Sequence, residues 1–277
     1  MTDSRPIGLF DSGVGGLTVL DAVARRLPSE HLLYLGDTAR LPYGTKSPET
    51  VRRYARRAVE LLLQRGIKAL VVACNTASAL ALDLIEELSP VPVIGVVAPG
   101  AAAALEAARA LEGTGGRRGP IAVLATEATV ASDAYGRAVR ALDPGRAVLH
   151  TPCPLFVPLA EEGWTENDVA RAVAERYLAP VRASGARVVV LGCTHYPLLK
   201  GTIAAALSPE TVLVDSAETA ARALESVLPD AARRRAGGAD GAGETHVLVT
   251  DASERLARIA GRFLGREAAR LELVDLP

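Results

Sequence analysis

Two cysteines stand in matching places along this chain, and any chemistry it performs centres on them. Cys74 follows the apolar run Leu70-Val71-Val72-Ala73, and Cys193 follows Val188-Val189-Val190-Leu191-Gly192. Each lies eight positions after a glycine, Gly66 and Gly185 respectively. Both runs are short, β-branched and without polar alternation, the pattern of a strand buried in a parallel sheet. In open α/β sheets ligands sit beyond the carboxyl ends of the strands. Two such ends facing each other would put two thiols on opposite sides of one small cleft. A free thiol titrates near about 8.5, so each needs an assistant to act as a base or nucleophile. His195, two residues after Cys193, could lower that thiol's pKa or shuttle its proton. Asp11, ending the first apolar run, is the counterpart for Cys74. Each residue also has an inert reading: a small buried hydrophobe for a cysteine, a hydrogen-bonded structural histidine, a turn-forming aspartate. The repetition favours chemistry for Cys74 and Cys193. Cys153, between two prolines and outside the repeat, keeps the inert reading.

The elements that would carry these residues alternate strand and helix, which argues for an α/β protein with mainly parallel sheets flanked by helices. Strands are expected near 7–10, 31–35, 70–73, 93–97, 121–124, 147–149, 188–192, 212–214 and 246–250. Helices are expected over 17–26, 48–65, 77–88, 99–111 and 167–181, with Ser47 capping the second and Pro48 at its first position. Residues 125–129 read as a strand-end loop and 152–158 as a rigid proline-rich loop. Asp251 with Glu254 resembles a capping box opening a final helix. Linker signals fall at 113–120, rich in glycine and arginine, and at 231–243, a low-complexity stretch expected to form a surface loop. The expected organisation is two similar domains, 1–98 with 212–277 forming the first and 99–211 the second, with the active site between them.

Composition narrows the functional classes. The 277 residues are 49% hydrophobic and 23% charged, as in a globular protein, and the net charge of -1 leaves no basic footprint for nucleic acid. No apolar run approaches the roughly 20 residues that span a bilayer, and the start of the chain has no leader-like core. Three cysteines do not make a disulfide scaffold. A cytoplasmic location with reduced thiols is expected. The run Gly13-Val14-Gly15-Gly16 fails the dinucleotide pattern, which needs glycine where Thr18 stands, although such a turn could hold a carboxylate on its backbone N–H groups. Arg52, Arg53, Arg56 and Arg57 read as a solvated helix face. Cys74, Cys153, Cys193 and His195 lack a C-x-x-C pair, so no metal is expected.

Six motifs, in order, cover nearly the whole chain: Phe10-Asp11-Ser12-Gly13-Val14-Gly15-Gly16, Pro42-Tyr43-Gly44, Ala73-Cys74-Asn75-Thr76-Ala77-Ser78, Cys153-Pro154-Leu155-Phe156-Val157-Pro158 with Glu161, Gly192-Cys193-Thr194-His195-Tyr196-Pro197-Leu198, and Val214-Asp215-Ser216. Together they resemble the glutamate racemases of the cofactor-independent amino-acid racemase superfamily. The resemblance implies that Cys74 and Cys193 are the acid/base pair, that Asp11 and His195 assist them, and that Glu161 lies near His195. It further implies that Asp11, Ser12, Tyr43, Gly44, Asn75, Thr76, Thr126, Thr194 and His195 bind substrate. A homodimer supplying D-glutamate to peptidoglycan is implied as well. One departure is visible: Ala125 and Ala128 stand where the family commonly has glycine, which leaves open the conformation of the loop carrying Thr126.

The residues suit that chemistry. Inverting an α-carbon means removing its proton from one face and returning one to the other, which two bases on opposite faces do directly. Free thiols are only a few per cent ionised at pH 7, so assistants have a physical purpose. The carbanion-like state needs preorganised donors and exclusion of water; Ser12, Asn75, Thr76 and Thr194 offer neutral ones. The pyridoxal route would need a lysine. Lys46, Lys68 and Lys200 are the only three, and none belongs to a recognisable pyridoxal site, so no cofactor is expected. The alternatives are a racemase of another acidic amino acid such as aspartate, or an amino-acid-binding protein with inert thiols.

Overall fold

The computed structural model describes residues 3–228, 243–265 and 271–276; the stretch expected as a low-complexity loop lies outside them apart from Gly243. The chain opens with β1 (Ile7–Asp11), α1 (Leu17–Arg26), β2 (Leu32–Gly36), a 3-10 turn (Tyr43–Thr45), α2 (Pro48–Gln64), β3 (Ala69–Val72), α3 (Asn75–Leu80), α4 (Leu82–Leu88), β4 (Val93–Gly95) and α5 (Val97–Gly113). It continues through β5 (Ile121–Ala125), α6 (Glu127–Ala131), α7 (Ala134–Leu142), β6 (Val148–Pro152), α8 (Phe156–Glu162), α9 (Asp168–Ser184), β7 (Val188–Gly192), a second 3-10 turn (Tyr196–Leu199), α10 (Lys200–Ala205) and β8 (Val212–Asp215). It closes with α11 (Ser216–Val227), β9 (Thr245–Val249), α12 (Glu254–Leu264) and β10 (Leu271–Leu273).

Two sheets result, one in the order β10-β9-β2-β1-β3-β4 and one in the order β6-β5-β7-β8. Every pairing between these strands is parallel. All residues of β1, β3, β5 and β7 are buried, which is why these strands read as unbroken apolar runs. Helices form where a buried stripe meets local signals. In α2 the stripe is Val51, Ala55, Ala58, Val59 and Leu62, and the Ser47 hydroxyl accepts from Thr50 N at 3.3 Å. In α9 Asn167 caps the start, and Gly185 ends the helix at φ 71°, a left-handed conformation that glycine adopts without strain.

Several expectations shift. The sequence places Val212–Asp215 with the first domain, but β8 pairs with Val188–Leu191 of β7 and is the edge of the second sheet. The expected loop at 125–129 is a strand end followed by a helix. Thr126, in an extended conformation, caps α6 by accepting from Thr129 N. Neither Ala125 nor Ala128 needs a positive φ, which among the described non-glycine residues occurs at Asp133. The proline-rich segment 152–158 ends in helix, with Pro158 in the first turn of α8, where a missing N–H costs nothing. The helix expected over 77–88 breaks at Ala81, between α3 and α4. Ser253, not Asp251, caps α12, its hydroxyl accepting from Leu256 N at 3.2 Å.

At the amino ends of the first sheet, away from the thiols, Lys68 Nζ and Glu30 Oε2 form an ion pair at 2.5 Å, with both side chains 2% exposed. The Lys68 ammonium also donates to the Asp3 carbonyl at 2.8 Å. Removing one partner of a buried pair strands the other charge, whereas removing both often costs little. Lys68→Met should therefore destabilise the fold by about 3–5 kcal/mol, and Lys68→Met with Glu30→Leu by clearly less. Urea unfolding of the two variants checks this.

Candidate active site

Each sheet delivers one thiol. β1 and β3 are neighbours, with Phe10 in register with Val72, so Asp11 and Cys74 emerge side by side at their carboxyl ends. Cys74 is the N-cap of α3: its sulfur accepts from Ala77 N at 3.4 Å and lies 3.5 Å from Ser12 Oγ. Asp11 is fully buried, and its Oδ2 accepts from Gly13 N at 3.0 Å. Burial lifts the Asp11 carboxyl above the ordinary range, against the pull of the Gly16 N–H and the charge of His195. Burial, then the neighbouring Asp11 charge, pushes the Cys74 thiol up to about 12. Cys74 is thus held as a thiol, a proton donor, at neutral pH.

The second sheet builds the opposite setting. Beyond β7, Cys193 Sγ lies 3.8 Å from His195 Nδ1, and the other ring nitrogen, Nε2, lies 3.2 Å from Glu161 Oε1 on α8. Burial opposes a charged His195, but Cys193 and Glu161 on its two nitrogens outweigh it and raise its pKa to about 10. The imidazolium stands beside Cys193, whereas the charges that act on Cys74 are the like ones of Asp11 and Cys193. Thr194 Oγ1 is 3.4 Å from the same Nδ1. The glycine turn of the first lobe presses against this group: a methyl on Gly15 would come within 2.6 Å of His195 Nδ1. A methyl on Gly16 would come equally close, 2.6 Å, to Asp11 Cβ. The glycine run thus serves close approach of backbone to side chains.

Hydroxyl and amide groups close the cleft. Thr76 on α3 bonds across to Thr126 Oγ1 at 3.0 Å and Thr129 Oγ1 at 3.1 Å, and those two are 3.0 Å from each other. Asn75 accepts from Tyr135 OH at 2.6 Å, while its buried Nδ2 has no hydrogen-bond partner among the described residues. Tyr43 donates to Asp37 Oδ2 at 2.6 Å, and Thr250 donates to Asp37 Oδ1 at 3.0 Å. The neighbouring Gly44 sits so close to Thr126 that a methyl there would lie 2.7 Å from its Cβ. A cavity of about 200 Å³ opens at the mouth, lined by Pro42, Gly44, Thr126, Pro154, Val157 and Pro158 among others.

The residues singled out by sequence gather around one cleft: Asp11, Ser12 and Cys74 on one side, Cys193, Thr194, His195 and Glu161 on the other, with Asn75, Thr76 and Thr126 bridging and Tyr43 and Gly44 at the rim. Cys153 is fully buried, its thiol directed at the Thr151 carbonyl at 3.4 Å. Among the described residues no three His, Cys, Asp or Glu side chains gather as a metal site, and no helix is long and apolar enough to cross a membrane. Sequence reading missed Asp37, Thr129 and Tyr135. Asp37 carried a signal, since it follows β2 directly, beside the end of β1 at Asp11. Thr129 carried one too, three residues after a helix-capping threonine. Tyr135 carried none.

Residues 11–224 match the family described as Asp/Glu/Hydantoin racemase. The chain belongs to that family. The relatives it resembles end to end are narrower. It is 46% identical to a glutamate racemase of Geobacter metallireducens over 98% of this chain and 97% of that one. Its fold matches the crystal structure of glutamate racemase from Thermus thermophilus in complex with β-chloro-D-alanine, with a TM-score of 0.84, 45% identity and 99% and 98% of the two chains covered. The structure of the Francisella tularensis glutamate racemase in complex with D-glutamate matches with a TM-score of 0.88 at 35% identity, covering 99% and 98%.

The unequal settings of the thiols have a direct chemical consequence. Brief treatment with iodoacetamide near pH 7.5 should alkylate Cys193 before Cys74, because only the thiolate is nucleophilic. Peptide mass spectrometry reads the order, and the two labelled at equal rates would contradict these settings.

Proposed function

We propose that this protein interconverts L-glutamate and D-glutamate without a cofactor, Cys193 and Cys74 acting as base and acid on opposite faces of the α-carbon. The observation that carries this reading is the opposite environment of the two buried thiols: Cys193 beside the His195–Glu161 pair, Cys74 beside Asp11. The His195 imidazolium would serve as counter-charge when Cys193 acts as base, and Cys74, pushed up to about 12, starts as a thiol. Cys193 takes the Cα proton of L-glutamate and becomes a thiol, while Cys74 gives its proton to the other face and becomes a thiolate. The product is D-glutamate. The Cys74 thiolate beside Asp11 is unfavourable and takes a proton from solvent, while the Cys193 thiol releases its own to solvent, His195 staying the imidazolium that favours a thiolate there. D-glutamate binds to the form before this reset and runs the sequence backwards.

Substrate would be held by Asp11, Ser12, Tyr43, Gly44, Asn75, Thr76, Thr126, Thr194 and His195. The substrate ammonium would bring a positive charge to the Asp11 side and so ease ionisation of the Cys74 thiol. The unpartnered Asn75 Nδ2 and the threonine hydroxyls suit the carboxylates, as donors that carry no charge of their own. The full-length likeness to named glutamate racemases supports glutamate over aspartate. We further propose a first domain of 1–98 joined by the segment returning after β8, a second domain between them, a homodimer, a cytoplasmic setting and a role supplying D-glutamate for peptidoglycan.

The reaction run from L-glutamate in heavy water and stopped early tests the mechanism. New D-glutamate should carry deuterium at Cα while unreacted L-glutamate stays largely protiated; D-glutamate that keeps its hydrogen would rule out two bases. Chiral analysis in the same experiment separates glutamate racemisation from turnover of another acid or from binding alone. The pH profile tests the relay. His195 is raised from about 6.5 to about 10, so its charge is present through neutral pH and lost as pH climbs through the raised value. The rate from L-glutamate should fall on that limb. Glu161→Gln removes one of the groups that raise the pKa, so the limb should move to lower pH; an unmoved limb would leave Glu161 without this role.

A further inference from the structure

The final helix reaches into the site from the wrong lobe. By connection α12 belongs to the first sheet, between β9 and β10, and it packs against α1. Leu256, Ile259, Ala260 and Phe263 form its buried stripe. Its last turns, however, touch the His195–Glu161 pair of the second lobe. The Phe263 ring meets the His195 imidazole nearly perpendicularly, with centroids 5.0 Å apart and an interplanar angle of 80°. Arg262 donates to the Glu161 backbone carbonyl, and Arg255 pairs with Glu162 Oε1 at 2.7 Å. Gly163, at φ 74°, ends α8 directly under the guanidinium; a methyl there would lie 3.0 Å from Arg262 Cζ. Arg262 therefore fills the place of a capping group for a carbonyl in the last turn of α8, where helix carbonyls lack partners.

The need for such support follows from the geometry of the pair. The Cys193–His195 contact is 3.8 Å long, near the limit at which a sulfur contact is directional. The histidine ring torsion is broad, with no steep wells of its own. A modest rotation would break the contact on one nitrogen or the other. The contacts to Cys193 and Glu161 lie in the plane of the ring, and Phe263 bears on it from a different element. We propose that Phe263 and Arg262 are positioning residues for the proton relay: Phe263 sets the plane of the His195 ring and excludes water from it, and Arg262 fixes the backbone that carries Glu161. Because both stand on a helix of the first lobe, the Cys193 side of the site is aligned only when the lobes are docked.

This inference rests on the racemase reading, and the test separates the two. Steady-state constants and Cα-deuterium isotope effects are measured in both directions for Phe263→Ala, Phe263→Leu and Arg262→Gln. Phe263→Ala should lower kcat at least about tenfold, a partial loss of the roughly 10²–10⁴-fold that general acid–base assistance supplies, with KM changed less than about threefold. If proton transfer at Cys193 becomes the slow step, the isotope effect from deuterated L-glutamate rises, since abstraction is then limiting. The effect from deuterated D-glutamate falls, since reprotonation is then limiting. Phe263→Leu and Arg262→Gln should shift the two effects in the same opposed directions with smaller losses of rate, and they keep the test alive if the alanine variant fails to fold. Isotope effects equal to those of the unmodified protein in both variants, or rising together in both directions, would overturn the proposal. An unmodified protein that does not racemise glutamate would overturn the underlying reading and this inference with it.

Discussion

The contact between His195 and its two neighbours, Cys193 on one ring nitrogen and Glu161 on the other, is the interaction on which the site depends. An imidazole buried to this degree would ordinarily be neutral, because a low-dielectric surrounding penalises its charge. Two acidic groups on opposite nitrogens reverse that preference. The cleft then has a polarity, with the charged His195 beside Cys193 and the Asp11 carboxyl beside Cys74, and two chemically identical side chains stand in different electrostatic settings. A symmetric pair would have no resting direction.

Holding that polarity requires the cleft to be tight and dry, and the fold achieves this by bringing backbone against side chain. Gly15, Gly16 and Gly44 stand where a single methyl would collide with His195, Asp11 or Thr126. The three threonine hydroxyls of Thr76, Thr126 and Thr129 lie within 3.1 Å of one another across the cleft. They satisfy one another without adding charge. The Asp37 carboxylate anchors the Tyr43 hydroxyl and Thr250 beneath the rim, so the loop contacting the second lobe is tied to the strand that precedes α12. Burial and then Asp37 push the Tyr43 hydroxyl well above the ordinary phenol range, which keeps it a donor.

Parallel sheets explain why the same kind of residue recurs at every strand end. Strand direction sends Asp11, Asp37, Cys74, Thr126, Cys193 and Asp215 to the carboxyl edges, and a helix starts within a few residues of several of them. Cys74, Thr126 and Asp215 each cap the following helix, so the residue nearest the chemistry also organises the local backbone. One consequence is that a change at such a position alters both the site and the start of a helix.

What the sequence determined by itself was the order of elements and the residues at the strand ends. Buried parallel strands are continuous apolar runs, so Val188–Gly192 and the run before Cys74 could be read without context, as could the capped start of α2 at Ser47. The two thiols, His195 and Asp11 were legible because a repeated strand end is a local pattern. Tertiary structure alone decided the rest. The sheet that β8 joins depends on pairing with β7, a partner about twenty residues away that no local signal names. The helical character of 127–131 and 156–162 was hidden because short helices have too few turns for periodicity, and prolines at helix starts read as loop. Asp37, Thr129, Tyr135 and Phe263 reach the cleft from segments far apart in the chain, and the charges of Asp11 and His195 depend on burial and neighbours that exist only once the lobes meet. Local sequence fixes which side chains are available; a pKa is set by surroundings, and those are made by the fold.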